Sequence, residues 1–166
     1  MPPESPHSQQ LGASELDTLL ALLTGIELLS GLDGAELRQV AGHLLARDYA
    51  PGATIFREGD PGTFLGLLAE GEVRIFKEAN DQQARTVAVE HHSRAIGEMA
   101  LIDGEPRSAS CVAVKATRLL LLTREHFDRL ARERPVLALK LALRIARLIS
   151  RRLRMTSGRL VDFLGS

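Results

Sequence analysis

Between Ala53 and Leu122 the chain is cut by turn residues into pieces too short to stand as helices. Ala53–Arg57, Thr63–Ala69, Glu72–Lys77, Thr86–Glu90, Cys111–Val114 and Arg118–Leu122 are the apolar pieces. Gly59-Asp60-Pro61-Gly62, Glu70-Gly71, Asn80-Asp81 and Lys115-Ala116-Thr117 are the breaks. Val73 and Ile75, then Val87 and Val89, fall on alternate positions, the period of a half-buried strand. The pattern predicts a small antiparallel barrel or roll.

Helical periodicity flanks these strands on both sides. Glu15–Leu29 carries Leu16, Leu19, Leu20, Leu22, Leu23 and Ile26 at helical spacing, and Ser30-Gly31 punctuates it. A second helix, Ala35–Leu45, starts behind Asp33 as its cap. Helix returns from Arg124 to Met155, divided by Arg134-Pro135. The fold class is α+β. Residues 1–13 form a disordered tail, 14–46 the leading helices, 47–123 the roll, 124–155 the C-terminal helices and 156–166 a second tail.

The chain has 166 residues, one domain's worth, with 45% hydrophobic and 25% charged side chains. No apolar run is long enough to span a membrane, and MPPESPHSQQ lacks the layout of a signal peptide. The single cysteine, Cys111, fits a reducing compartment, so a cytoplasmic location is expected. A net charge of zero conceals a polarity. Residues 1–123 carry 10 basic against 17 acidic side chains, and residues 124–166 carry 11 against 4. Such asymmetry marks either a solvated helix face balanced by an acidic body or a segment that meets an anion.

The stretch IGEMALIDGEPRSAS, residues 96–110, carries the chemistry. Gly97–Ile102 reads as a short helical turn, whose first N–H groups attract an anion. Gly97 lets backbone approach closely, and Gly104 permits the left-handed turn that sends the chain back. Arg107 adds a permanently charged fork suited to phosphate oxygens, and Ser108 a hydroxyl. Glu98 supplies a carboxylate that accepts from a neutral hydroxyl. Together these describe a sugar-phosphate cradle.

GEMALIDGEPRSAS resembles the phosphate-binding cassette of cyclic nucleotide-binding domains. IFREGDPGTFLGLLAEGEV is similar to the family's glycine-punctuated strands, and LLSGLDGAELRQVAGHL to its leader, so the resemblance covers about residues 27–155. It implies a jelly-roll (double-stranded β-helix) sheet pair with C-terminal hinge and lid helices. It further implies that Glu98 bonds a ribose 2′-OH, Arg107 a cyclic phosphate and Ser108 the same phosphate. Gly97, Met99, Ala100 and Ala109 would contribute backbone. Gly66 departs from the bulky residue usual in the family and is expected to loosen its strand. The competing reading of the cassette is that Glu98 and Arg107 simply pair with each other.

The expected ligand is cAMP rather than cGMP, with Ser108 compatible with either, and no other cofactor. His91-His92 lacks neighbours at ligand spacing, so no metal is expected. Cys111 reads as core. No P-loop, hydrolase elbow or carboxylate pair points to an enzyme. The family's transcription factors place a helix-turn-helix after the long C-terminal helix. Here about ten residues remain, so a stand-alone receptor is expected and specific DNA binding is not. Helix 136–155 bears two apolar stripes: Leu137, Leu141, Ile145 and Leu148, then Leu139, Ala142, Ile149 and Leu153. One is expected on the roll, the other on a second copy or an effector, with Arg144, Arg147, Arg151 and Arg152 at the edge. The alternative function is an interaction module that kept the fold and lost the ligand.

Overall fold

The computed structural model describes residues 13–78, 84–91 and 93–165. The tail before Ala13, the Asn80-Asp81 turn and His92 fall outside the described residues. Strands β1 (Leu45–Tyr49), β8 (Thr117–Thr123), β3 (Phe64–Glu70) and β6 (Ala95–Ile96) form one sheet in that order. Strands β2 (Thr54–Phe56), β7 (Ser110–Ala113), β4 (Glu72–Glu78) and β5 (Ala84–His91) form the other. Every neighbouring pair is antiparallel.

The leucine run of β8 shows how the layers stack. Leu119 and Leu121 point between the sheets, where they meet Phe56, Leu68, Val73, Ile96 and Cys111. Leu120 and Leu122 point the other way, into a cluster with Leu65, Leu67 and the helices. A strand covered on both faces has no polar side to alternate. The helical layer consists of α1 (Ala13–Thr24), a 3-10 turn at Glu27–Leu29, α2 (Gly34–Ala41), α4 (Arg124–Glu133) and α5 (Pro135–Leu164). Asp33 caps α2 as expected: Glu36 N–H donates to its Oδ1 at 2.8 Å, and Asp33 N–H donates to Glu36 Oε2 at 3.0 Å. Among the described residues no helix is long and apolar enough to cross a membrane.

Several boundaries differ from the sequence expectation. The first helix ends at Thr24, before Gly25, and resumes only as the 3-10 turn. The second ends at Ala41 rather than Leu45, because a turn at Gly42–Leu44 leads into β1. Strand β1 exposes its three central residues and pairs only with β8, so it carries no apolar alternation to read. The long helix continues past Met155 to Leu164, where a tail was expected. Thr156 Oγ1 donates to the Arg152 carbonyl at 2.9 Å, and Gly158 costs only about 1 kcal/mol against alanine, too little to end the ladder. Gly66 does not loosen β3. It pairs with Ile96 on one side and Leu121 on the other, and a Cβ there would press on Ile96 Cγ1 at 3.2 Å.

Candidate ligand-binding site

The cassette is built around α3 (Glu98–Asp103), entered through Gly97 and left through Gly104. Gly97 has φ 67°, and a Cβ there would collide with Arg107 Nη1, so no side chain fits. Arg124 Nη2 donates to the carbonyls of Ala100 at 2.6 Å and Leu101 at 2.7 Å, a cation at the C-terminal half of a short helix. The upstream glycine turn braces the same unit. Gly59 N–H donates to Arg107 O, and Arg107 N–H to Asp60 O, each at 2.8 Å. A Cβ at Gly62 would overlap that of Ala100. The two motifs read separately in the sequence are therefore bonded to each other.

Arg107 and Glu98 are each only 4% exposed. Arg107 Nη1 donates to Gly97 O at 2.9 Å and Nη2 to Phe64 O at 2.7 Å. Its guanidinium lies 4.2 Å from the Phe56 ring centre and 4.5 Å from that of Phe64. Burial lowers its pKa from the ordinary value, yet an arginine stays charged across physiological pH. Its Nε is buried with no hydrogen-bond partner.

Glu98 does not pair with Arg107. Its Oε1 accepts from Arg152 Nη1 at 2.7 Å, across from α5. Arg152 Nη2 also donates to Ala95 O at 2.9 Å and to Glu90 Oε1 at 3.3 Å. Cys111 lies between the sheets, where burial pushes its thiol up to about 12, so it is packing rather than a nucleophile. His91 faces Glu72 at 3.3 Å, and Lys115 reaches the same carboxylate at 2.8 Å.

A cavity of about 590 Å³ opens over the cassette, within the usual range for small-molecule sites. Gly97, Glu98, Met99, Ala100, Arg107, Ser108 and Ala109 all line it. A lid helix was expected over the cassette, but the residues of the opposite walls escaped the sequence reading: Ile75, Val87, Val89 and Glu90 from the β4–β5 hairpin, and Arg152, Met155, Thr156 and Arg159 from α5. Four exposed apolar side chains line it, Val87 at 54%, Val89 at 44%, Met99 at 45% and Met155 at 60%. The hairpin residues were legible as a strand, but nothing in a strand's period says which face meets a ligand. The cavity thus joins a buried anion, a buried cation and an uncovered apolar wall.

Residues 46–134, more than half of the chain, match the family described as cyclic nucleotide-binding domain. The chain belongs to that family. A solved cyclic nucleotide-binding domain from Methylobacillus flagellatus KT superposes with a TM-score of 0.78 at 30% identity, covering 90% of this chain and 84% of that one. The Catabolite Activator Protein of Thermus thermophilus superposes with a TM-score of 0.74 at 39% identity, over 83% of this chain and 62% of its own. The Cyclic AMP receptor protein of Thermus thermophilus is 40% identical over 75% of this chain and 58% of its own length. The cAMP-dependent protein kinase regulatory subunit of Aspergillus niger is 37% identical over 66% of this chain and 26% of its own. This cyclic nucleotide-binding domain therefore spans less than two thirds of those curated relatives, by name a receptor protein and a kinase regulatory subunit.

Proposed function

We propose that the cavity binds a cyclic nucleotide, cAMP in preference to cGMP, and that α5 relays the bound state to a partner. The observation that supports this best is the make-up of the cavity: Glu98, Arg107 and four uncovered apolar side chains line one hollow. Glu98 accepts from the ribose 2′-OH. Arg107, whose Nε lacks an acceptor, and Ser108 take the cyclic phosphate. Backbone of Gly97, Met99, Ala100 and Ala109 lines the sugar-phosphate, while Val87, Val89 and Met155 cover the base. Relatives named for cAMP favour that nucleotide.

Relay to α5 runs through Arg152, which shares the Glu98 carboxylate with the ribose. A ligand that binds one placement of α5 more tightly shifts the population toward it. The outer stripe of α5 then meets a second copy or an effector.

Calorimetric titration of the purified chain with both nucleotides tests the reading. Saturable binding, tighter for cAMP, with a matching rise in melting temperature, is expected. Ser108→Ala should weaken both ligands similarly, and a loss confined to cGMP would reverse the preference. Absence of binding by either leaves the interaction module as the better account.

A further inference from the structure

A second cavity, of about 210 Å³, shares only Arg152 with the cassette cavity. Five arginines line it, Arg94, Arg144, Arg147, Arg151 and Arg152, with Glu27 as its one acid. Three of them have carboxylate partners. Arg94 and Arg151 both pair with Glu27, the latter at 3.0 Å, and Arg152 is held by Glu98 and Glu90. Arg144 and Arg147 have no acid within ion-pair distance among the described residues. They stand three residues apart on α5, and Arg151 follows four later, so one helix face supplies three guanidiniums to one hollow.

Elsewhere several basic side chains find acids, Arg118 with Asp48, Lys140 with Glu36 and Lys115 with Glu72, while Arg47 and Arg74 lie over aromatic rings. A concave wall with five guanidiniums and one carboxylate is different from an evenly mixed charged face. It concentrates the field and draws in counter-ions, and like charges held together without one repel. Guanidinium forks suit phosphoryl oxygens, which take paired N–H donors. The hollow is smaller than the roughly 300–1,000 Å³ of typical drug-sized ligand sites. A chain of two or three phosphoryl groups suits that space, whereas a nucleic-acid backbone needs cations set along an open ridge.

We propose that this hollow is an anion site for a short polyphosphate chain, as a free ion or as the tail of a nucleoside triphosphate. The full chain is titrated calorimetrically with inorganic tripolyphosphate and with ATP, without cyclic nucleotide, at about 150 mM ionic strength. Saturable binding of one anion per chain is expected. Equal affinity for both shows that only the phosphoryl chain is read, and tighter ATP binding shows the nucleoside resting outside the hollow. Arg144→Gln/Arg147→Gln, which leaves every cassette residue in place, should weaken binding by about tenfold or more. Arg147→Glu, at an exposed position, checks the same point without touching half-buried Arg144. The proposal is overturned if neither anion gives heat beyond a sodium chloride control. It is equally overturned if the folded variants bind as tightly as the parent, which would move the anion to the cassette.

Discussion

At the scale of single residues, Arg107 has two tasks. From the sequence it looks like a ligand residue whose loss the fold would tolerate. The structure buries it between Phe56 and Phe64 and bonds it to the carbonyls of Phe64 and Gly97. Arg107→Ala should therefore act twice. Melting without ligand should reveal destabilisation of about 1–3 kcal/mol, the cost of leaving buried acceptors unpaired. Nucleotide affinity should fall by roughly 2–5 kcal/mol, on the order of 30- to several-thousand-fold. An unchanged melting temperature would deny the structural task, and unchanged affinity would deny the phosphate. Glu98 and Arg107 were legible because one short motif holds both. Arg152 was not: it lies 54 residues from Glu98, in a helix where several arginines look alike until the fold brings one to the carboxylate.

At the scale of elements, strands with apolar cores and clear turns were readable, as were the cap of α2 and the break before Pro135. Strand β1, exposed at its centre, and two-residue β6 were not, because pairing with distant strands rather than local pattern defines them. The stripes of α5 were readable in part. Leu137, Leu141, Ile145 and Leu148 are buried, in the cluster dominated by the helical layer rather than on the roll alone. Of the other stripe, Leu139 is 59% and Leu153 66% exposed, while Ala142 and Ile149 are half-buried. The exposed positions Val136, Leu139, Leu143, Leu153, Leu160 and Leu164 fall on a repeat of alternating three and four residues, the seam of a helix pair. If the partner proposed above is a second copy of the chain, that copy supplies the matching seam. Leu139→Glu/Leu153→Glu should leave the fold intact and separate the copies. Burying one leucine contributes roughly 1.5–3 kcal/mol, so association should weaken by at least about a hundredfold in sedimentation velocity. A parent chain that sediments as a monomer, or a variant that associates as before, would remove this partner.

At the scale of the molecule, α5 belongs to two structures at once. Its first half is core: Leu137, Leu141, Ile145 and Leu148 close the helical layer, so deleting the whole helix would uncover the cluster and test only folding. Its second half is cavity wall, through Arg152, Met155, Thr156 and Arg159. Ending the chain at Ser150 separates these roles. The core stripe remains, and Glu98 loses Arg152. Circular dichroism should report a folded protein with a somewhat lower melting temperature, since a buried carboxylate is left without its charged partner. Nucleotide affinity should fall by about ten- to a hundredfold, as the loss of one apolar wall contact worth roughly 1.5–3 kcal/mol implies. Arg152→Gln in the full chain then divides that loss between charge and wall. If the carboxylate alone mattered, this variant would equal the truncation. If the wall also covers the base, it should retain the larger share of affinity. A chain ending at Ser150 that binds nucleotide as tightly as the full chain would show that α5 is no lid, and its placement against Glu98 would then be a matter of folding alone.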